Sequence, residues 1–328
     1  MNQLHLAVIL PHTLLFGGVK RFLELGNCFI RLGHTFTVFT PNGDKPDWFR
    51  YDGTIDTFSN INNYKLDALF ITEIKFLNYL VKSNSKLKIF YHVLKSEKLH
   101  DVLQHKEIKI FVNSTNLYEY NLKKYKIDSF KAIGGINSAL LQQPVVPKQD
   151  QKIVILTYGR LSRKRKGTRF VIKACEKIYK RNKNIKLILF DTPVDKKSEN
   201  LIKNFSCKLP FEFIVNHPVD KNHELFRKAD IFVSAEKNAG WANTCAEAML
   251  YGLSVIATES GSRDILFNQK TGLVVWRNSY SIKKAINTLI KNPELRLKIA
   301  TDANRHIVEY SWENLADKIL TYLRDHNI

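Results

Sequence analysis

Short apolar runs recur along this chain, and a segment with helical spacing follows most of them. Residues 4–10 form a nearly continuous apolar run, which is typical of a strand buried on both faces. After a turn at Gly17 and Gly18, apolar side chains recur at helical spacing, and Gly33 stands where a helix-ending glycine belongs. Residues 35–40 form the next apolar run, so this part of the chain predicts a strand, a helix and a second strand.

The same rhythm continues in two blocks, separated by a polar stretch with two prolines at residues 142–151. We interpret that stretch as an interdomain linker. Strands and helices that alternate in this way predict a parallel, doubly wound sheet in each block. Further predicted strands are residues 68–72, 87–93, 108–113 and 131–133 before the linker and 153–158, 185–190, 211–215, 230–234, 254–258 and 273–275 after it, with helices near 168–181 and 243–250 and a mostly helical tail from residue 282.

The fold class that follows is α/β, with two Rossmann-like domains. We expect an N-terminal domain at residues 1–145 and a C-terminal domain at 151–311, with a final helix at 312–328 that packs back on the first domain. Ligands of such sheets bind at the carboxyl ends of the strands, so a cleft between the two domains is the expected active site.

The net charge of the chain favours anionic partners but does not identify one. The chain has 328 residues and is 44% hydrophobic, which supplies full cores and excludes a disordered chain. Its 51 Lys and Arg against 31 Asp and Glu give a net charge of +20, which favours nucleic acid, an anionic membrane face or phosphorylated ligands. A compositional bias that only solvates the surface explains the charge equally well.

The location expected from the sequence is the cytoplasm. No apolar run approaches the roughly 20 residues that span a bilayer. The first residues lack the basic segment of a signal peptide. The four cysteines are scattered without a Cys-x-x-Cys pair, which favours a reducing compartment.

The first candidate site is a basic loop from Gly159 to Gly167, directly after a predicted strand and before a predicted helix. Arg160 offers a fork of donors and Lys166 a point charge. Cations beside the unpaired N–H groups of a helix start form a site for phosphate oxygens. The alternative is a basic loop that is only solvated.

The second candidate site is the start of the predicted helix near residue 243. Asn243 or Thr244 can cap this helix, and Glu247 lies about one turn inside it. The helix start could receive a diphosphate while Glu247 accepts hydrogen bonds from ribose hydroxyls. A capping-box carboxylate is the alternative role for Glu247.

Five short motifs follow one another in a characteristic order. They are Gly17-Gly18-Val19, Ile133-Gly134-Gly135-Ile136-Asn137, the loop 159–167, the segment 240–252, and the turns 260–264 and 271–274. In this order and spacing they resemble the family 4 glycosyltransferases, which are retaining, nucleotide-sugar-dependent enzymes with the GT-B fold. The resemblance covers most of the chain and is strongest from residue 153 to residue 322.

The resemblance implies a nucleotide-diphosphate-sugar donor, such as a UDP-sugar, on the C-terminal domain. It implies a glycan, a lipid-linked compound or another hydroxyl acceptor on the N-terminal domain. Arg160 and Lys166 resemble the pair that contacts the donor diphosphate, and Glu247 resembles the carboxylate that holds the ribose. The full implied donor-binding set is Gly17, Gly18, Gly159, Arg160, Lys166, Ala242, Asn243, Thr244 and Glu247, with backbone N–H groups of residues 242–244 facing the phosphates and sugar.

Two residues are candidates for a catalytic role, and one lysine is ambiguous. His92, at a predicted strand end, matches the family's active-site histidine, with a structural histidine as the alternative. The family's second glutamate falls eight positions before Glu247, where this chain has Ala239, so Glu236 is the nearest replacement. The basic loop is one residue longer than usual, so Lys164 competes with Lys166 for the diphosphate.

We expect no cofactor and no metal, because the sequence has no Asp-x-Asp triad and offers cations to the diphosphate instead. The resemblance implies transfer with retention of configuration, by front-face attack. The alternatives are a GT-B-like sugar-nucleotide epimerase or phosphorylase, and a non-catalytic basic binding protein. Nucleic acid is a disfavoured partner, since no helix-turn-helix, zinc or RNP-like motif occurs.

The acceptor hypothesis extends to an anionic membrane surface. Residues 74–88 mix Phe76, Leu77, Leu80 and Val81 with four lysines, the pattern of an interfacial amphipathic helix. A second basic stretch follows at residues 123–126. Peripheral contact with the inner face of the membrane is the resulting expectation, and packing of the four apolar residues on the sheet is the alternative.

Overall fold

The structure, a computed structural model, describes residues 3–95, 98–137 and 152–328. Two compact units divide the chain: Met1–Gly135 together with Glu309–Ile328, and Ile136–Val308. The predicted linker at residues 142–151 lies outside the described residues.

The first unit contains one parallel sheet with helices in its connections. Its elements in chain order are β1 (His5–Ile9), α1 (Gly17–Arg31), β2 (Thr35–Thr40), β3 (Thr54–Thr57), β4 (Ala68–Ile71), α2 (Leu77–Lys82), β5 (Leu87–His92), α3 (Leu99–Leu103), β6 (Ile108–Val112), α4 (Thr115–Tyr125) and β7 (Phe130–Lys131). The strand order is β3-β2-β1-β4-β5-β6-β7. β1 is central, with Val8 opposite Val38 and Phe70, and its apolar side chains are buried on both faces, as its sequence predicts.

The second unit has the same architecture. Its elements are β8 (Ile153–Tyr158), α5 (Thr168–Tyr179), β9 (Ile185–Asp191), α6 (Lys196–Lys203), β10 (Phe211–Val215), α7 (Asn222–Phe226), β11 (Ile231–Ser234), α8 (Asn243–Leu250), β12 (Ser254–Ala257), β13 (Leu273–Val274), α9 (Ser279–Lys291) and α10 (Pro293–Ile307). The strands are parallel in the order β10-β9-β8-β11-β12-β13.

Each sheet has a point where the direction of winding reverses. In the first unit this switch point lies between β1 and β4, and in the second it lies between β8 and β11. The loops that follow the two strands leave in opposite directions at such a point and open a crevice at the carboxyl ends. The loop after β8 and the loop after β11 are the two candidate sites of the sequence.

The last helix, α11 (Trp312–Asp325), returns to the first unit and packs against α1. Ser311 caps it by accepting a hydrogen bond from the N–H of Asn314 at 3.1 Å. Trp312 and Ile319 belong to the same buried cluster as Phe22. A Cβ on Gly135, which has φ +123°, would overlap the Trp312 ring, so only glycine fits above that ring.

The predicted elements agree with the structure where the apolar pattern is strong. Strands 35–40, 153–158 and 211–215 and helix 243–250 match β2, β8, β10 and α8. The sequence missed β3 and the helices α3, α4, α6 and α7. β3 lies at the edge of its sheet with side chains only half-buried, so it lacks the apolar run that marks the central strands.

The prediction of a membrane-facing amphipathic helix at residues 74–88 is wrong. The segment folds into a short turn, α2 and the start of β5, and Phe76 and Leu80 are buried against the sheet. Leu77 and Val81 pack on the same cluster, so the apolar residues are already covered. Across the described residues, no helix combines the length and the apolar character needed to cross a membrane.

Candidate functional site

The two candidate loops of the second unit meet at its switch point. Gly167 has φ +72°, and a Cβ there would overlap the carbonyl oxygen of Ala235, which follows β11. Arg277 ties the loops together, because its Nε donates to the Ala235 carbonyl at 2.8 Å and its Nη2 to the Lys164 carbonyl at 2.6 Å. The two loops can therefore approach this closely only because residue 167 is a glycine.

Lys166 and Glu236 form an ion pair across these loops. The Glu236 side chain is only 10% exposed, and the Lys166 ammonium lies 5.2 Å from the centre of the Tyr158 ring. Lys164 is exposed to solvent instead. Of the two competing lysines, Lys166 is thus the one at the switch point, and Glu236 lies on this lysine.

Arg160 is held by the protein rather than extended toward a ligand. Its Nε donates to Oδ1 of Asp191 at 2.7 Å, and its Nη2 donates to the Thr192 carbonyl at 2.9 Å. Both side chains of the Arg160–Asp191 pair are at most 10% exposed. Two of the three guanidinium nitrogens are therefore engaged, which corrects the expectation of an open fork for phosphate.

The ring of Tyr158 lies next to both cations, Arg160 and Lys166. Its ring lies 5.3 Å from the guanidinium carbon of Arg160. Burial, and after it the negative charge of Asp191, raise the pKa of Tyr158. The phenol is therefore neutral at physiological pH and cannot serve there as a base.

The start of α8 has no side-chain cap. Ala242 is the N-cap, so the expected cap by Asn243 or Thr244 is wrong. The N–H of Ala242 donates to the Gly261 carbonyl at 2.8 Å, which corrects the expectation that it faces a ligand. The N–H groups of Asn243 and Thr244 have no acceptor among the residues that the structure describes, and they remain available to an anion.

Glu247 lies one turn inside α8 and is half-buried. Its Oε2 accepts a hydrogen bond from Nδ2 of Asn222, the first residue of α7, at 3.3 Å. Because the N–H of the N-cap residue Ala242 donates to the Gly261 carbonyl, Glu247 is not the capping carboxylate that the sequence allowed. Cys245 on the same helix is buried, and burial followed by the charge of Glu236 raises its pKa to about 12, so it is not a nucleophile at neutral pH.

The missing family glutamate has no substitute at its own position. The N–H of Ala239 donates to Oγ of Ser260 at 2.8 Å, and a Cβ on Gly261 would lie 2.8 Å from the Ala239 methyl group. Ala239 is therefore packed against the turn at residues 260–261. Glu236 is directed to Lys166 and does not take over this place.

In the first unit, Gly17 and Gly18 are the first two residues of α1 and neither has a positive φ. The turn expected at these two glycines therefore ends before them, at Phe16. A Cβ on Gly18 would meet nothing within 4 Å, so the protein itself leaves this surface open. They follow β1, at the switch point of the first sheet.

His92 is the last residue of β5 and is 1% exposed. Its Nδ1 lies 3.2 Å from Oδ1 of Asn121, and its Nε2 has no hydrogen-bond partner. Burial lowers the pKa of His92, against smaller opposing effects of Asn121 and the Leu94 carbonyl. The imidazole is therefore neutral at pH 7 and cannot supply a fixed positive charge.

Sequence reasoning missed three residues that organise the second unit's site. Asp191, at the end of β9, could have been found as a carboxylate at a strand end beside the basic loop. Asn222 and Arg277 carry no local signal, because their partners lie 25 and 42 residues away in the chain. Among residues 3–95, 98–137 and 152–328, no group of three His, Cys, Asp or Glu side chains is placed to hold a metal ion.

Comparisons with known proteins point to one family. The family model for glycosyl transferases group 1 matches residues 141–306, half of the chain. Two curated relatives, both named D-inositol 3-phosphate glycosyltransferase, are 24% identical over 128 residues (Corynebacterium urealyticum) and 25% identical over 181 residues (Corynebacterium glutamicum). These matches cover 38% and 52% of this chain and 30% and 43% of the relatives, so less than half of either relative is spanned.

Solved structures establish the fold. A glycosyltransferase from Rickettsia africae superposes with a TM-score of 0.78 at 18% identity, covering 99% of both chains. Anabaena Alr3699/HepE, in complex with UDP and glucose, superposes with a TM-score of 0.79 at 14% identity, covering 98% of this chain and all of that one. The predicted GT-B fold, with a parallel α/β sheet in each unit, is confirmed.

Proposed function

This chain belongs to the family of glycosyl transferases group 1, and from that premise we propose that it transfers a sugar from a nucleoside-diphosphate sugar to a hydroxyl acceptor. The observation that carries the proposal is the Lys166–Glu236 pair at the switch point of the second unit. Beside this switch point, the N–H groups of Asn243 and Thr244 lack acceptors within the described residues. A cation and a helix start together are suited to a diphosphate.

The donor diphosphate would take the place of Glu236 as the partner of Lys166. A phosphate oxygen carries the same charge as the carboxylate, so Lys166 can exchange one partner for the other without losing its ion pair. Arg160 would stay paired with Asp191. Glu247 would accept hydrogen bonds from the ribose, with Asn222 holding the carboxylate in place.

We propose transfer with retention of configuration, as the family resemblance implies. In that reaction the leaving phosphate takes the acceptor proton, and the protein's part is to stabilise the charge that develops on the phosphate. Lys166 and the two N–H groups of α8 are placed for this role. No side chain of the second unit's site acts as the nucleophile in this proposal.

The acceptor would bind on the first unit, near His92. A glycan, a lipid-linked compound or another hydroxyl compound fits the proposal equally. The Nε2 of neutral His92 is buried without a partner, so a hydrogen bond from this atom to the acceptor would require that ligand binding exposes it. The names of the two curated relatives and the net charge of +20 favour an acceptor that carries a phosphate group.

The proposal is tested by binding and by product analysis. A thermal-shift screen with UDP-, GDP-, ADP- and dTDP-sugars identifies the donor, because a ligand of the native state raises the melting temperature. Glu247→Ala should then weaken binding of that nucleotide by about 1–3 kcal/mol in calorimetry. Glu199→Ala, on the exposed face of α6, is the matched control and should leave the affinity unchanged.

Two results would contradict the proposal. Unchanged nucleotide affinity in folded Glu247→Ala would remove the second unit's site from donor binding. A product in which the sugar stays on its nucleotide with altered configuration, seen by NMR, would show the epimerase alternative instead. A product with inverted anomeric configuration would overturn retention alone.

A further inference from the structure

Two aromatic rings are the most exposed large hydrophobic side chains in the described part of the chain. Trp276 is 82% exposed and Tyr280 is 70% exposed. Trp276 lies two residues after β13, and Tyr280 lies in the first turn of α9. Neither residue belongs to the donor site proposed above.

The turn that carries Trp276 is firmly held. The N–H of Trp276 donates to Oγ of Ser281 at 3.1 Å, and its carbonyl accepts from the N–H of Asn278 at 2.7 Å. The next residue, Arg277, is anchored to the carbonyls of Ala235 and Lys164. The indole is therefore presented to solvent by an ordered backbone.

The surface around these rings is cationic. No Asp or Glu occurs from residue 265 to residue 293, a stretch that includes all of α9 and its lysines Lys283, Lys284 and Lys291. Helix α5 packs beside α9 and exposes Arg169, Lys173 and Lys177 at intervals of four residues. The one carboxylate of α5, Glu176, accepts a hydrogen bond from the N–H of Lys208 at 3.0 Å.

The cations and the rings lie at the same end of the two helices. The guanidinium carbons of Arg169 and Arg277 lie 4.7 and 5.0 Å from the centre of the Phe170 ring, at the start of α5. The ammonium of Lys283 lies 6.0 Å from the centre of the Tyr280 ring. We call this area the α5–α9 surface, defined by Arg169, Lys173, Trp276, Tyr280, Lys283 and Lys284.

We propose that the α5–α9 surface binds an anionic phospholipid bilayer. Trp and Tyr settle at the level of the lipid headgroups, and Lys and Arg next to them pair with lipid phosphates. Because no carboxylate occurs over 29 consecutive residues, α9 carries no negative charge that would repel an anionic bilayer. The proposal concerns a surface of the second unit and does not rest on sugar transfer.

Nucleic acid is the other polyanion that such a surface could meet. A duplex would be bound through its phosphates, so the cations alone would supply the binding free energy. The two exposed rings distinguish the cases, because a bilayer gains from both the rings and the cations. Their position at one end of a cationic helix pair favours the bilayer.

The test is co-sedimentation of the full chain with vesicles of phosphatidylglycerol and phosphatidylcholine, and with vesicles of phosphatidylcholine alone. We expect binding only to the anionic vesicles, and loss of it at high salt. Trp276→Ser/Tyr280→Ser should lower the partition coefficient roughly tenfold. Lys283→Gln/Lys284→Gln should lower it about fivefold per cation. Lys196→Gln/Lys197→Gln on α6 is the matched control and should sediment like the parent protein.

Three outcomes would overturn the proposal. They are no binding to anionic vesicles, equal binding of the parent and Trp276→Ser/Tyr280→Ser, and a loss in the α6 control as large as in the α9 variant. Equal binding of the aromatic variant together with displacement from vesicles by a short RNA duplex would assign the surface to nucleic acid. Donor binding by calorimetry is measured separately in the same variants, so failure here leaves the proposed transfer untouched.

Discussion

At the scale of single residues, buried carboxylates decide which cations face a ligand. Asp191 holds Arg160 within the protein, whereas Glu236 holds Lys166 at the switch point, where we propose that a donor phosphate competes for it. A basic loop in a sequence does not show this difference. Two cations of the same loop therefore have different surroundings, because Asp191 ends β9 whereas Glu236 lies in the loop after β11.

Lys166 and Lys164 provide a matched pair of substitutions. We expect Lys166→Met to weaken donor-nucleotide binding about tenfold to a hundredfold, because a charged hydrogen bond to phosphate is lost. Lys164→Met should change the affinity less than about twofold, since Lys164 is exposed to solvent. Isothermal titration calorimetry with the donor nucleotide measures both.

Lys166→Met leaves the buried carboxylate of Glu236 without its cation, which lowers the stability of the protein. Glu236→Gln removes that charge and is the control for this loss of stability. If Lys166→Met binds poorly only because it unfolds, its melting temperature will fall and that of Lys166→Met/Glu236→Gln will recover. A stronger loss in Lys164→Met than in Lys166→Met would assign the diphosphate to Lys164.

His92 makes the stability of the protein depend on pH in a defined direction. Burial lowers its pKa below the usual 6.5, so the native state binds fewer protons than the unfolded chain as the pH falls below that value. The free energy of unfolding should therefore decrease from about pH 7 to about pH 5. In His92→Gln this decrease should be smaller, as measured by urea unfolding at several pH values.

His100→Gln, on the exposed part of α3, is the control and should keep the slope of the parent protein. An unchanged slope in His92→Gln would mean that other histidines cause the pH dependence. His5 and His34, whose pKa values burial also lowers, would then be the next to test.

At the scale of the elements, seven helices in the described part of the chain start without a side-chain cap. Three of them are the first helices after the switch-point strands β1, β8 and β11, namely α1, α5 and α8, and the other four are α2, α3, α7 and α10. The helices α4, α6, α9 and α11 are capped by Ser114, Asp195, Asn278 and Ser311. Uncapped helix starts leave N–H groups without an acceptor, which is costly unless water or a ligand anion satisfies them.

A substitution at Gly18 distinguishes an effect on stability from an effect on ligand binding. Since a Cβ there meets nothing within 4 Å, Gly18→Ala should raise the free energy of unfolding by about 0.5–1 kcal/mol. If a substrate passes close to α1, the same variant loses activity despite its greater stability. Urea unfolding and a transfer assay on one preparation measure the two effects.

Gly33→Ala is the contrasting variant. Gly33 has φ +88°, so a side chain there is strained and the protein should lose stability. Full activity in a stabilised Gly18→Ala protein would show that no ligand approaches the start of α1.

At the scale of the whole molecule, the proposed donor site consists of cations and helix N–H groups. We therefore propose that transfer needs no divalent metal. Activity in excess EDTA should stay within about twofold of the activity with Mg²⁺, because the phosphate charge is met by the protein. Loss of activity in EDTA and its return with Mn²⁺ or Mg²⁺ would contradict the roles given to Lys166 and α8.

The sequence by itself determined the parallel sheets, the central strands and the order of the family motifs. These features depend on local runs of apolar residues and on glycines at fixed spacing, which are visible in any window of the chain. His92, Lys166 and Glu247 were candidates for the same reason, since each occupies a position relative to a strand or helix end.

Only the tertiary structure decided which partners these residues have. Arg160 meets Asp191 and Lys166 meets Glu236 because parallel strands bring distant loops to one edge of the sheet. The apolar residues of 74–88 pack on the sheet, whereas Trp276 and Tyr280 stay outside, although both segments are apolar and basic in sequence. Amphipathic spacing shows that a side chain can be buried, but whether protein or another surface covers it depends on which elements the fold places beside it.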